Sequence, residues 1–104
     1  MKIKGATEAE INTVLKILAP YFMEYDFYFY GSRVRGDFRT LSDLDILIRG
    51  KTSMPLEVID SLKEAFDNST LPYIVNLTDF YNISDEFYKM IQDDMKVSVN
   101  DNQG

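Results

Sequence analysis

Two strand-like runs, DFYFY at residues 26–30 and DLDILIR at 43–49, are joined by twelve residues that open with Gly31-Ser32. In the first run aromatic side chains fall on both faces, as in a buried strand. In the second, Asp43 and Asp45 share one face while Leu44 and Ile46 turn to the other, because residues two apart on a strand point the same way. Glycine permits the positive φ that a tight turn needs, and Gly31-Ser32 turns the chain into a short helix-like segment over about 32–37. The chain is thereby committed to a strand, a turn into a short helix, and a second strand.

The rest of the sequence supplies helices and a third strand. Thr7 followed by Glu10 fits a capping box, with Ile11, Val14, Leu15 and Leu18 at helical spacing and Pro20 ending the helix. Residues 55–67 read as an amphipathic helix with Pro55 in its first turn and Leu56, Ile59, Leu62 and Phe66 inward. YIVNLTDF, 73–80, reads as a strand. Ser84 caps a last helix with Phe87, Met90 and Ile91 on one face, and KVSV, 96–99, suits a terminal strand. Helices alternating with strands predict an α/β layer protein. With 104 residues the chain is expected to form one domain over 1–100, with 101–104 as a frayed tail.

Cysteine and histidine are both absent, which excludes disulfides, thiolate metal sites, the usual zinc ligands and the commonest general base. A bound metal would have oxygen ligands, as magnesium, manganese or calcium do. The N-terminal stretch has only short apolar runs broken by charge. It reads as neither a signal peptide nor a membrane span, and points to a cytoplasmic protein. A net charge of −6 argues against broad electrostatic binding to nucleic acid. Yet Arg33, Arg35, Arg39, Arg49 and Lys51 fall within nineteen residues, which suggests a local basic patch for a small anion.

The Gly31-Ser32 junction has two readings. It is a plain turn, or a place where backbone amides and the serine hydroxyl hold phosphate. Asp43 and Asp45 are likewise either solvated acids at a strand end or a convergent pair. Two like charges so close resist ionising unless a cation lies between them. Two carboxylates completed by substrate phosphates is a common way to hold magnesium. Arg33 and Arg35 would neutralise bound phosphate or remain solvated helix residues, and Arg39 is a weaker candidate.

Gly31-Ser32, then ten residues, then Asp43-x-Asp45 at the start of an apolar strand resembles the signature of DNA polymerase β-like nucleotidyltransferases. FYGSRVRG…SDLDILI looks most similar to the minimal nucleotidyltransferases, and LPYIVNLTDF with ISDEFYKMI resembles their third strand and closing helix. The resemblance covers about residues 11–99. It implies the nucleotidyltransferase fold, α+β with a small mixed sheet flanked by helices. It also implies that Gly31 and Ser32 contact the nucleotide's β- and γ-phosphates. Asp43 and Asp45 would bind two magnesium ions, and ATP would be the substrate.

The sequence departs from the family where a third carboxylate is usual: the matching residue is Asn76, which cannot take a proton from an attacking hydroxyl. Strand parity places Asp79 on the opposite face, where it suits a turn cap; it could substitute for the missing carboxylate only if the strand ends or bulges near Thr78. The resemblance further implies an antitoxin paired with a HEPN-domain RNase encoded beside it, silenced by transfer of AMP to a tyrosine. A degenerate antitoxin that neutralises the partner by binding alone is the alternative. Transfer to RNA or a small molecule fits the acidic surface and short chain less well. YFMEYDFYFY, 21–30, is either core or a partner surface, with Tyr21, Tyr25 and Tyr28 the more exposed members.

Overall fold

Thr7 opens α1 (Glu8–Leu18) through a complete capping box: its hydroxyl accepts the Glu10 amide while Glu10 accepts the amide of Thr7. Pro20 follows in a 3-10 turn, Ala19–Tyr21, and the chain passes into β1 (Tyr25–Tyr30). After α2 (Ser32–Arg35) come β2 (Leu44–Gly50), α3 (Leu56–Asp67), β3 (Val75–Asp79) and α4 (Asp85–Ile91), capped by Ser84. The computed structural model describes residues 2–95 and 98–102.

The sheet has the order β1-β2-β3, with β1 antiparallel and β3 parallel to β2. A parallel neighbour requires a crossover, and α3 provides it. This is the small mixed sheet flanked by helices that the resemblance implies. Register decides which residues share a face: Phe27 and Phe29 pair with Ile48 and Ile46, and Leu44 and Ile46 with Val75 and Leu77. That face packs on Ile11, Val14 and Leu18 of α1 and on Ile59, Leu62 and Phe66 of α3, forming the main core. The other face carries Tyr30 and Leu47, covered by Ile91 and Phe87 of α4, and beyond them Asp45 and Asn76. The acids therefore lie at the uncovered end of a half-covered sheet face.

Two inward assignments are corrected. Leu56 is 74% exposed, because α3 starts there and Met54, just ahead of the helix, fills the core instead. The Met54 amide donates to Asp79 Oδ2 at 2.7 Å, which fixes that substitution of roles. On α4, Met90 is 69% exposed and Tyr88 turns inward beside Phe87 and Ile91, its ring edge-on to Phe80 at 5.4 Å. The seven aromatics of residues 21–30 are all buried or half-buried, and Tyr21, Tyr25 and Tyr28 are half-buried like Phe22.

Of the expected terminal strand, residues 96 and 97 lie outside the described residues. Ser98 bridges Tyr28 in antiparallel fashion, and the Val99 amide donates to the Phe27 carbonyl at 2.8 Å. Residues 100–102 form a 3-10 turn, and Asn100 accepts from the Phe27 amide and donates to the Tyr25 carbonyl, both at 2.8 Å. Among the described residues no helix is long and apolar enough to cross a membrane.

Candidate active site

Gly31 sits between the end of β1 and the start of α2 with φ +87° and ψ −164°, a combination essentially confined to glycine. A second constraint acts on the same atom: a Cβ at Gly31 would overlap Oδ2 of Asp45. The turn and the carboxylate are thus pressed together, and only a residue without a side chain lets them meet. Ser32, half-buried, is the first residue of α2, and the Gly31 carbonyl accepts the Val34 and Arg35 amides at 3.1 Å each.

Asp45 lies opposite Tyr30 on one side and Asn76 on the other. Asn76 Nδ2 donates to Asp45 Oδ1 at 3.2 Å, so the parallel register of β2 and β3 brings Asn76 to Asp45. Burial pushes the Asp45 carboxyl above the usual carboxylate range. The Asn76 bond opposes that shift, the like charge of Asp43 adds to it, and Arg35 opposes it. Asp43 is exposed at the mouth of the site, just ahead of β2. Such an acid, partly desolvated beside another, is stabilised by a cation. Among the described residues no group of three or more Asp, Glu, His or Cys side chains is placed to hold a metal. Two carboxylates alone fit magnesium, which keeps water and substrate phosphates as its remaining ligands.

Asp79 lies on the far face, 4% exposed, where it accepts the Met54 and Tyr81 amides. It ties the chain ahead of α3 to the end of β3 and cannot replace the missing carboxylate at Asn76.

The expected basic patch dissolves in three dimensions. Arg33, 4% exposed, points into the protein, not toward phosphate. Its Nε donates to Ser42 O at 2.8 Å, and its terminal nitrogens donate to the carbonyls of Gly5, Thr40 and Arg39 at 2.6, 2.9 and 3.4 Å. Its guanidinium carbon also lies 3.9 Å from the Tyr73 ring centroid and 5.0 Å from that of Phe38. The expectation that Arg33 neutralises the nucleotide is corrected: with five N–H groups in all, three bonds to carbonyls of the 39–42 loop and one to that of Gly5 commit it to the framework. Arg49 lies over Phe80 near the far end of β2, and Arg39 is exposed on the loop. Of the four arginines, Arg35 is the one that bears electrostatically on Asp45.

One residue of the site has no signal in the sequence. Asp94, in the 3-10 turn Gln92–Asp94, accepts the Gly31 amide at 3.1 Å and Arg35 Nη1 at 2.9 Å, both on Oδ2. It lies 63 residues from Gly31, in a run of acids that reads as an ordinary helix end. The arrangement as a whole joins a glycine turn, a serine hydroxyl, two acids and an arginine at one end of the sheet. That set can hold a polyphosphate and its cation while leaving the reacting atoms open to a large acceptor.

The family model described as "Nucleotidyltransferase domain" matches residues 10–98. The protein named "Probable protein adenylyltransferase MntA" from Haemophilus influenzae is 36% identical over 92 residues, which cover 88% of this chain and 78% of that protein.

Proposed function

Because the chain belongs to the nucleotidyltransferase domain family, we propose that it transfers AMP from magnesium-bound ATP to a protein hydroxyl. The acceptor is a tyrosine of a HEPN-domain RNase encoded beside it, in the cytoplasm, so that the chain serves as the antitoxin of a toxin–antitoxin pair. The observation that carries the reading is the close approach of Gly31 to Asp45, which supports pairing the turn proposed to hold phosphate with the acid proposed to hold metal. The name of the Haemophilus relative supports protein as the acceptor.

In this reaction the acceptor oxygen bonds to the α-phosphorus, the bond from that phosphorus to the β-bridging oxygen breaks, and pyrophosphate leaves. Two magnesium ions would supply charge neutralisation of the leaving group and activation of the hydroxyl. Asp43 and Asp45 would hold them, and Ser32 and the Gly31 turn would orient the β- and γ-phosphates. The hydroxyl proton passes to water or to a group on the partner, because Asn76 cannot accept it. A missing general base costs roughly 10²–10⁴-fold in rate, so transfer is slow unless the partner provides one.

Asn76 also favours a second reading, in which the chain neutralises its partner by binding alone. Incubation with the neighbouring HEPN protein, ATP and magnesium, followed by intact mass of both chains, separates the two. An adenylate gain on the partner that disappears in the Asp43→Ala, Asp45→Ala double variant supports transfer. A tight complex with no mass gain, unaffected by the double variant, overturns it. Asn76→Asp is expected to raise the transfer rate.

A further inference from the structure

We propose that Asp94 is a resident anion that occupies the phosphate donors before nucleotide arrives, and that it thereby sets nucleotide affinity. The inference rests on the nucleotidyltransferase reading of the site. One oxygen, Asp94 Oδ2, takes the Gly31 amide at 3.1 Å and Arg35 Nη1 at 2.9 Å. A backbone N–H and a guanidinium converging on a single anionic oxygen is also how a phosphate oxygen is held. The Asp94 side chain is only 10% exposed, against 49% for Arg35, so the carboxylate is seated in the protein and is not a passing surface partner.

Position strengthens the case. Gly31 is the residue whose missing Cβ admits the Asp45 carboxylate, so the residue that gives its amide to Asp94 also touches an acid proposed to take the metal. Arg35 is the cation that bears on Asp45. Behind the pair lies an open cleft of about 340 Å³ lined by Lys2, Ile3, Lys4, Val34, Arg35, Asp93 and Asp94. Its lysines offer charge compensation to an anion larger than a carboxylate. The Gly31 amide has one hydrogen to donate, so carboxylate and phosphate exclude each other there. Nucleotide binding is then an exchange in which a phosphate oxygen takes the amide and the guanidinium, and Asp94 turns out to solvent.

Calorimetric titration of wild type, Asp94→Asn and Asp94→Ala with ATP plus magnesium, with pyrophosphate plus magnesium, and with AMP tests this. The expected result is binding of ATP and pyrophosphate about tenfold tighter in Asp94→Asn, about 1.4 kcal/mol. AMP, lacking the β- and γ-phosphates, should bind the wild type and the variant alike. Asp94→Ala should tighten binding at least as much, since it removes even a neutral acceptor. Unchanged or weaker ATP binding in the isosteric Asp94→Asn, with wild type binding normally, overturns the inference alone; it would mark Asp94 as a residue that merely aims Arg35. Absence of ATP binding by every variant and the wild type overturns the nucleotide reading of the site together with it.

Discussion

Arg33 and Arg35 stand one residue apart on the same short helix, yet they belong to two different parts of the molecule. On the inner side of α2, Arg33 is enclosed by carbonyls and aromatic rings, and no carboxylate pairs with it among the ion pairs of the described residues. On the outer side, Arg35 is half-exposed and pairs with Asp37 and Asp94. The inner cation builds the loop that delivers Asp43 to β2, whereas the outer one faces the acids and whatever anion they meet. Burial, more than charge, separates architecture from chemistry here: desolvated N–H groups must be satisfied where they stand, and are then unavailable to a ligand.

The sharpest way to break this contrast is Arg33→Met, which keeps bulk but strands the buried carbonyl of Gly5 and breaks the partly buried bonds to Ser42 and Thr40. With each unsatisfied buried group costing about 1–3 kcal/mol, urea denaturation should show a loss on the order of 3 kcal/mol or more. Gly31→Ala comes next. It forces an alanine into a glycine-only conformation and drives its Cβ into the Asp45 carboxylate. Displacing a catalytic group by about 1 Å can cost on the order of 10²-fold in rate, read as pyrophosphate release. Arg35→Ala should cost less stability than Arg33→Met, because Arg35 is itself half-exposed and one of its two acids, Asp37, is exposed, while altering ATP affinity; an unfolding penalty as large as that of Arg33→Met would erase the distinction.

The smallest effect is expected from Asp45→Asn, measured without metal. Burial raises the carboxyl pKa in the folded protein, so folding disfavours the ionised acid. That penalty is absent below the unfolded pKa of about 4 and is fully present above the folded one. The variant should therefore melt higher than wild type at neutral pH, with the gap closing as pH falls through the folded pKa toward about 4. A gap that stays constant with pH would show that lost charge is not its source.

What the sequence disclosed was local. The Thr7–Glu10 box, the Ser84 cap, and the parity that sets Asp45 and Asn76 on one face and Asp79 on the other all follow from spacings of four residues or fewer within an element, plus one strand register. What escaped it depends on partners far along the chain. Arg33 is turned inward by Gly5, 28 residues before it. The Gly31 amide is taken by Asp94, 63 residues after it. The exchange of Leu56 for Met54 depends on a bond from Met54 to Asp79 across 25 residues.

The contacts of Ser98, Val99 and Asn100 along β1 have a consequence for how copies of the protein treat one another. β1 borders the sheet, and an unpaired border of aromatic residues is a template for joining a neighbouring molecule's backbone. By filling the Phe27 amide and the Tyr25 and Phe27 carbonyls from its own C-terminal segment, the chain blunts that border itself. Residues 98–100 thus cover part of the β1 border, while the end of the sheet that carries Asp45 and Asn76 stays uncovered.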